Sequence, residues 1–137
     1  MKKRFIAAIV SVCVMLGMAS APAVAVGGFI PITPYWLNVS EISFTMSRTS
    51  GTVNWSSTIY GLSGTTSITA TYMLYKKDSG GNYTSLGTWN ASSTTQKLTA
   101  SGSATGAAGT YKITVTAKVT RNGTTETVDN SFEAYLS

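Results

Sequence analysis

From Val26 onward this chain carries no histidine and no cysteine, since its one thiol, Cys13, lies upstream and histidine is absent throughout. Ser-His-Asp and Cys-His nucleophiles are therefore excluded there, as are zinc sites built on imidazole or thiolate. Carboxylates remain: Glu41, Asp78, Glu126, Asp129 and Glu133. A glycosidase places two of them across a scissile bond, but these five lie along alternating stretches or in turns, with no long insertion to wall a cleft. Glu126 and Asp129 have opposite parity in one extended run and so point to different faces. Solvated charges that discourage edge-to-edge aggregation are the expected role. Asp78-Ser79-Gly80-Gly81-Asn82 spaces oxygen ligands at alternate positions, as half of a calcium loop would, but lacks the further acids and the closing glutamate. A hairpin turn explains each of its residues. No catalytic residue, metal ligand or cofactor is expected, and the chain reads as not an enzyme.

Binding is the chemistry left open, and aromatic residues are its candidates. Tyr60, Tyr75 and Tyr83 form the candidate ligand surface, suited to a glycan or an extracellular protein. Trp55 and Trp89 share parity with apolar neighbours and are expected to fill the core instead. Three of the ten basic residues, Lys2, Lys3 and Arg4, open the chain. The remaining seven are scattered against five acids, so no basic stripe for nucleic acid exists.

The elements that would position these residues follow from period-2 alternation. From Gly109, the residues Tyr111, Ile113, Val115, Ala117 and Val119 fall on one parity and Lys112, Thr114, Thr116, Lys118 and Thr120 on the other. Asn122-Gly123 supplies the positive φ angles of a type I′ turn, and Val128, Phe132, Ala134 and Leu136 return as the second arm of a hairpin. On this pattern Val115→Asp abolishes folding, whereas Thr116→Asp is nearly harmless. Upstream, a first strand spans 36–47, with Leu37 and Val39 out of phase with Ile42, Phe44 and Met46, which predicts a bulge or a sheet switch near Ser40. Thr49-Ser50-Gly51 is a tight turn, and Val53, Trp55, Ser57 and Ile59 line a second strand. Ile68, Ala70, Tyr72 and Leu74 line a third. The fourth, over 83–89, has Leu86 out of phase, so a twist or bulge is expected there. A fifth covers 94–100 around Leu98, and 101–108 reads as a small-residue loop.

Seven strands with turn signals every 8–12 residues indicate a single antiparallel two-sheet sandwich, an all-β fold. Serine and threonine make up 38 of the 112 residues from Val26, too polar for a helical bundle. Ala107-Ala108-Gly109-Thr110-Tyr111-Lys112-Ile113 resembles the entry to strand F of immunoglobulin-like domains. Gly109 and Tyr111 match its tyrosine-corner pattern, while Ala107 stands in place of the aspartate and Ile113 in place of the disulfide cysteine. Those departures resemble the bacterial and fibronectin type III-like branches of the fold. The run from Ile68 through Leu74-Tyr75-Lys76-Lys77, Trp89, Gly109-Thr110-Tyr111 and Asn122-Gly123 to Glu126 is similar to small, uncharacterised secreted proteins of Gram-positive bacteria. Gly109, Tyr111, Asn122, Gly123, Trp55 and Trp89 are the expected structural residues.

Residues 1–25 read as a cleaved signal peptide: the basic Lys2-Lys3-Arg4, an apolar 5–18, and Ala23-Val24-Ala25 as an A-x-A site. The apolar run is short of the ~20 residues that span a membrane, so no stable insertion of the mature chain is expected. Residues 26–35, with Gly27, Gly28, Pro31 and Pro34, read as an extended lead-in, and 36–137 as the sandwich domain. Five Asn-x-Ser/Thr triplets, at Asn38, Asn54, Asn82, Asn90 and Asn122, add little in so serine- and threonine-rich a chain. The run ending Tyr135-Leu136-Ser137 carries no sorting motif, so release or non-covalent attachment outside the cell is expected. The functional expectation is a secreted, non-enzymatic interaction or structural module. Alternatives are a carbohydrate-binding module that uses exposed aromatics, and a self-associating fibre subunit in which 26–35 adds as a strand to the next copy.

Overall fold

The structure, a computed structural model, describes residues 25–31 and 36–137. Apart from Ala25, the expected signal peptide lies outside the described residues. Eight strands follow one another: β1 (Ala25–Pro31), β2 (Val39–Thr49), β3 (Thr52–Gly61), β4 (Thr65–Lys77), β5 (Tyr83–Ser93), β6 (Lys97–Thr105), β7 (Gly109–Arg121) and β8 (Thr124–Leu136). They form two four-stranded antiparallel sheets, in the orders β1-β2-β3-β6 and β5-β4-β7-β8. This is the two-layer, all-β sandwich that the alternation requires. The constant immunoglobulin arrangement returns the strand after C to the sheet of A, B and E. Here β5 stays beside β4, in the sheet of β7 and β8.

Alternation determines which side of each ribbon is buried. Val53, Trp55, Ser57 and Ile59 of β3, Ile68, Ala70, Tyr72 and Leu74 of β4, and Tyr111, Ile113, Val115, Ala117 and Val119 of β7 are all buried. Each large apolar side chain among them contributes roughly 1.5–3 kcal/mol by leaving water. Phase slips in the pattern mark bulges. The β2–β3 register shifts between Val39 and Glu41, leaving Ser40 as the extra residue, so Val39 and Ile42 both reach the core. The β4–β5 register shifts between Leu74 and Tyr75, leaving Leu86 as the extra residue of β5. Asn122 and Gly123 have the expected positive φ, at 50° and 79°, and the tight turn at Ser50 and Gly51 has it too, at 52° and 79°.

Four boundaries differ from the sequence reading, one of them the end of β5, which runs on to Ser93 rather than stopping at Trp89. The lead-in is a strand, since the backbone of β1 pairs with β2 from Ala25 opposite Ser47 to Pro31 opposite Glu41. Strand β2 starts at Val39 rather than at Trp36, because the backbone N–H groups of Leu37 and Asn38 donate to the Glu126 carboxylate at 2.8–2.9 Å instead of to a strand. The buried Asn38 side chain donates to the Val119 and Thr124 carbonyls, at 2.9 and 3.0 Å, and pins the same crossing to the β7–β8 hairpin. Finally, 101–105 is not loop but the second half of β6, and 94–96 is the connection instead. Its small residues are a packing requirement. A Cβ on Gly102 would lie 2.7 Å from Trp55 Nε1 and 2.8 Å from Trp89 Nε1, so the strand can cross the two indoles only without a side chain there.

Candidate interaction surface

Tyr111 closes the corner between the β6–β7 connection and the core. It is fully buried, and its hydroxyl donates to the Ala107 carbonyl four residues upstream. Alanine suffices at 107 because the bond uses only the backbone. Trp55 packs 4.8 Å from Tyr72 and 5.3 Å from Trp89, ring centre to ring centre, the two indoles edge to face at 69°. These aromatics hold the layers together, with Trp55 and Tyr72 buried and Trp89 partly so. Burial pushes the hydroxyl pKa of Tyr72 up, against the neighbouring Ser57 hydroxyl; burial also raises that of Tyr111, against the charge of Arg48. Although Ser57 is close enough to affect Tyr72, neither hydroxyl finds a partner of hydrogen-bonding geometry, and Trp55 Nε1 has none either.

Of the candidate tyrosines, Tyr75 and Tyr83 lie on the outer face of the β5-β4-β7-β8 sheet. Register brings Ser85, Tyr75, Lys112 and Glu133 into one row across all four strands, with Tyr83 opposite Lys77 nearby. Tyr83 reaches over the sheet from β5, and its hydroxyl donates to Glu133 Oε2 on β8. Beneath that reach, Lys112 Nζ lies 3.9 Å from the centre of the Tyr83 ring and 5.7 Å from that of Tyr75, and Lys77 Nζ lies 5.7 Å from Tyr83. Tyr75 meets Tyr83 edge to face at 6.4 Å and 82°. Such cation–ring contacts contribute about 0.5–1 kcal/mol each where solvent reaches them. The result is a braced patch of ring edges, ammonium groups and one carboxylate.

Two of the three expected tyrosines therefore come together, and the third does not. Tyr60 lies on β3, in the other sheet, next to the inward-facing Ile59, and its ring sits 5.3 Å from Lys97 Nζ. It faces away from Tyr75 and Tyr83, so no single ligand spans all three. The near-perpendicular rings are also the wrong shape for a flat sugar platform. Lys112 and Glu133 belong to the patch although the sequence reading passed over them. Their outward parity was visible, but the cross-strand register that sets them beside the tyrosines was not. Further along the face, Thr69, Thr71, Asn90, Ser92, Thr116 and Lys118 line an open trough of about 440 Å³.

Four of the five acids are more occupied than solvated edge charges would be. Glu126 holds the Leu37 and Asn38 amides, Glu133 takes the Tyr83 hydroxyl, and Asp129 accepts from Thr116 Oγ1 at 2.6 Å. Asp78 Oδ1 accepts from Gly80 and Asn82 at 2.8 and 2.9 Å, turning its carboxylate into its own hairpin. Among the described residues, no three histidine, cysteine, aspartate or glutamate side chains gather in one place, and no helix is long and apolar enough to cross a membrane.

No protein-family model matches this chain, and no curated protein sequence does. Among solved structures, it is similar to the GAE domain of GGA2p from Saccharomyces cerevisiae, at 15% identity and a TM-score of 0.46, over 79% of this chain and 96% of that one. A copper-bound variant of FetP from uropathogenic Escherichia coli is similar at 14% identity and 0.48, over 85% and 98%. The KRT10-binding region of the pneumococcal serine-rich repeat protein PsrP is similar at 14% and 0.36, over 82% and 95%. At these identities the likeness concerns fold alone.

Proposed function

We propose that the chain is an exported, non-enzymatic interaction module, of the kind that Gram-positive bacteria secrete, which binds an extracellular protein through the Tyr75–Tyr83–Lys112–Glu133 end of its β5-β4-β7-β8 sheet. The observation that carries this reading is the bracing of Tyr83. A half-buried tyrosine bonded to a carboxylate two strands beyond its neighbour, over an ammonium group, presents fixed aromatic edges and charge at little ordering cost on binding. Tyrosine is enriched in protein interfaces, and charged groups such as Lys112 and Glu133 fit the polar rim around an aromatic centre. A glycan platform is supported less, because the two rings are not coplanar. The occupied acids favour a structural rather than a catalytic use of the carboxylates.

The test is capture from culture supernatant and surface extract by immobilised wild-type protein, Tyr83→Ala, Lys112→Glu and Tyr60→Ala, with bound proteins identified by mass spectrometry. A partner retained by wild type and Tyr60→Ala, and lost by the other two variants, supports the reading. A partner lost only by Tyr60→Ala, or a glycan-array signal that survives Tyr83→Ala, contradicts it.

A further inference from the structure

A sandwich of two open sheets has four edge strands, and each exposes backbone N–H and C=O groups that template another strand unless something blunts it. Three of the four are blunted here. Strand β1 ends at Pro31, β5 carries the Leu86 bulge, and β8 carries Glu126, Asp129 and Glu133, which are bonded within the domain but keep that edge acidic. Strand β6 has none of these devices. Its register with β3 runs without a shift from Thr105 opposite Thr52 to Lys97 opposite Tyr60. It has no proline, and its only charge is Lys97, at its first position. Among the described residues, its other side pairs with no strand.

From this edge we infer that the protein forms a two-fold dimer in which β6 pairs antiparallel with β6 of a second copy, joining two four-stranded sheets into one of eight. Charge selects a second copy as the occupant. Isologous pairing brings two strands of identical charge together, so an acidic strand such as β8 with its three carboxylates repels its copy, whereas β6 from Leu98 to Thr105 has no charge to oppose. Strand parity fixes the register as well. Residues facing each other must share a face, and the longest pairing of β6 centres on Ser101, with Thr99 opposite Ser103; Lys97 falls opposite Thr105 at each end, where its N–H and C=O are already engaged by Thr95 Oγ1 at 3.3 and 3.0 Å. The two Lys97 side chains then lie at opposite ends of the joint, roughly 27 Å apart at ~3.4 Å per residue. Ser101 itself is exposed. The adjoining edge strand β5 is also uncharged along its whole length, so the second layer adds no repulsion as the copies approach.

This inference concerns the opposite side of the sheet pair from β8 and does not rest on the tyrosine patch. Sedimentation equilibrium of the purified protein tests it, with Ser101→Lys and Ser101→Glu alone and mixed. Wild type is expected to dimerise, each variant alone to weaken the dimer at least tenfold while keeping the wild-type circular-dichroism spectrum, and the equimolar mixture to dimerise again, because opposite charges then meet on the axis. A wild type that stays monomeric at every concentration overturns the inference. So does a dimer indifferent to both substitutions, or one removed by deleting 26–31 instead, which would place self-association at β1.

Discussion

Gly102 on β6 lies directly over the indole of Trp55 on β3, so close that a methyl group added to it would stand 2.7 Å from the ring nitrogen. A neighbouring strand can be drawn that near only where there is no side chain, and the same spot touches Trp89 from the facing sheet. Gly102→Ala therefore overpacks the junction and is expected to destabilise the fold by about 1–3 kcal/mol. Ser103→Ala, one residue on and pointing outward, should change stability by less than about 0.5 kcal/mol. Urea midpoints of the two variants check the contrast, and equal midpoints would remove Gly102 from the packing argument.

Two buried tyrosines should respond oppositely to loss of their hydroxyls. Tyr111→Phe leaves the Ala107 carbonyl without its donor and is expected to cost about 1 kcal/mol. Tyr72→Phe removes a buried hydroxyl that has no partner, so the variant should be as stable as wild type or up to about 1 kcal/mol more stable. Thermal unfolding of both separates a satisfied hydroxyl from an orphaned one.

The same residues set an alkaline limit. Burial raises both hydroxyl pKa values above the ordinary 10.0, so the unfolded chain gives up these protons before the folded one does. Their contribution is complete below pH 10.0 and is lost as pH rises from there through the folded pKa values. Stability against urea should be level up to about pH 9 and decline above about 10, with a shallower decline in the Tyr72→Phe, Tyr111→Phe double variant. An equally steep decline in that variant would assign the limit to other groups.

Glu126 clasps the start of the domain. Its carboxylate takes the amides of Leu37 and Asn38, and Glu126→Ala should cost about 1.5–3 kcal/mol, with hydrogen exchange at those two amides accelerated before that of the β4 amides. Unchanged protection at Leu37 and Asn38 would contradict the clasp.

Much of the architecture was legible in the residues because alternation is local. Tyr111 to Val119 announced an inner face, and even the two interruptions, at Ser40 and Leu86, could be read as slips of phase. The second half of β6 could not, because Ala100, Gly102 and Ala104 look like loop residues until the indoles that Gly102 accommodates and the core beneath its neighbours are known. Pairing was also hidden. Which outward residue on β4 meets which on β7 depends on register, so Tyr75, Lys112 and Glu133 formed no visible group, while Tyr60 was grouped by type with rings on the opposite face. Register also revises one substitution. Thr116 lies opposite Asp129 and donates to it, so Thr116→Asp would set two carboxylates together and is not a neutral control. Thr114, opposite Ser131, is the proper one.

Urea unfolding of Val115→Asp beside Thr114→Asp tests most directly whether two layers bury one parity of these ribbons and leave the other free to bind. Val115 is 1% exposed, and a carboxylate in its place should leave no folded population, as a loss of more than about 4 kcal/mol implies. Thr114→Asp should keep the wild-type spectrum and a midpoint within about 0.5 kcal/mol. Similar midpoints for both, or a folded Val115→Asp, would contradict the sandwich and with it the outer face on which the proposed binding surface stands.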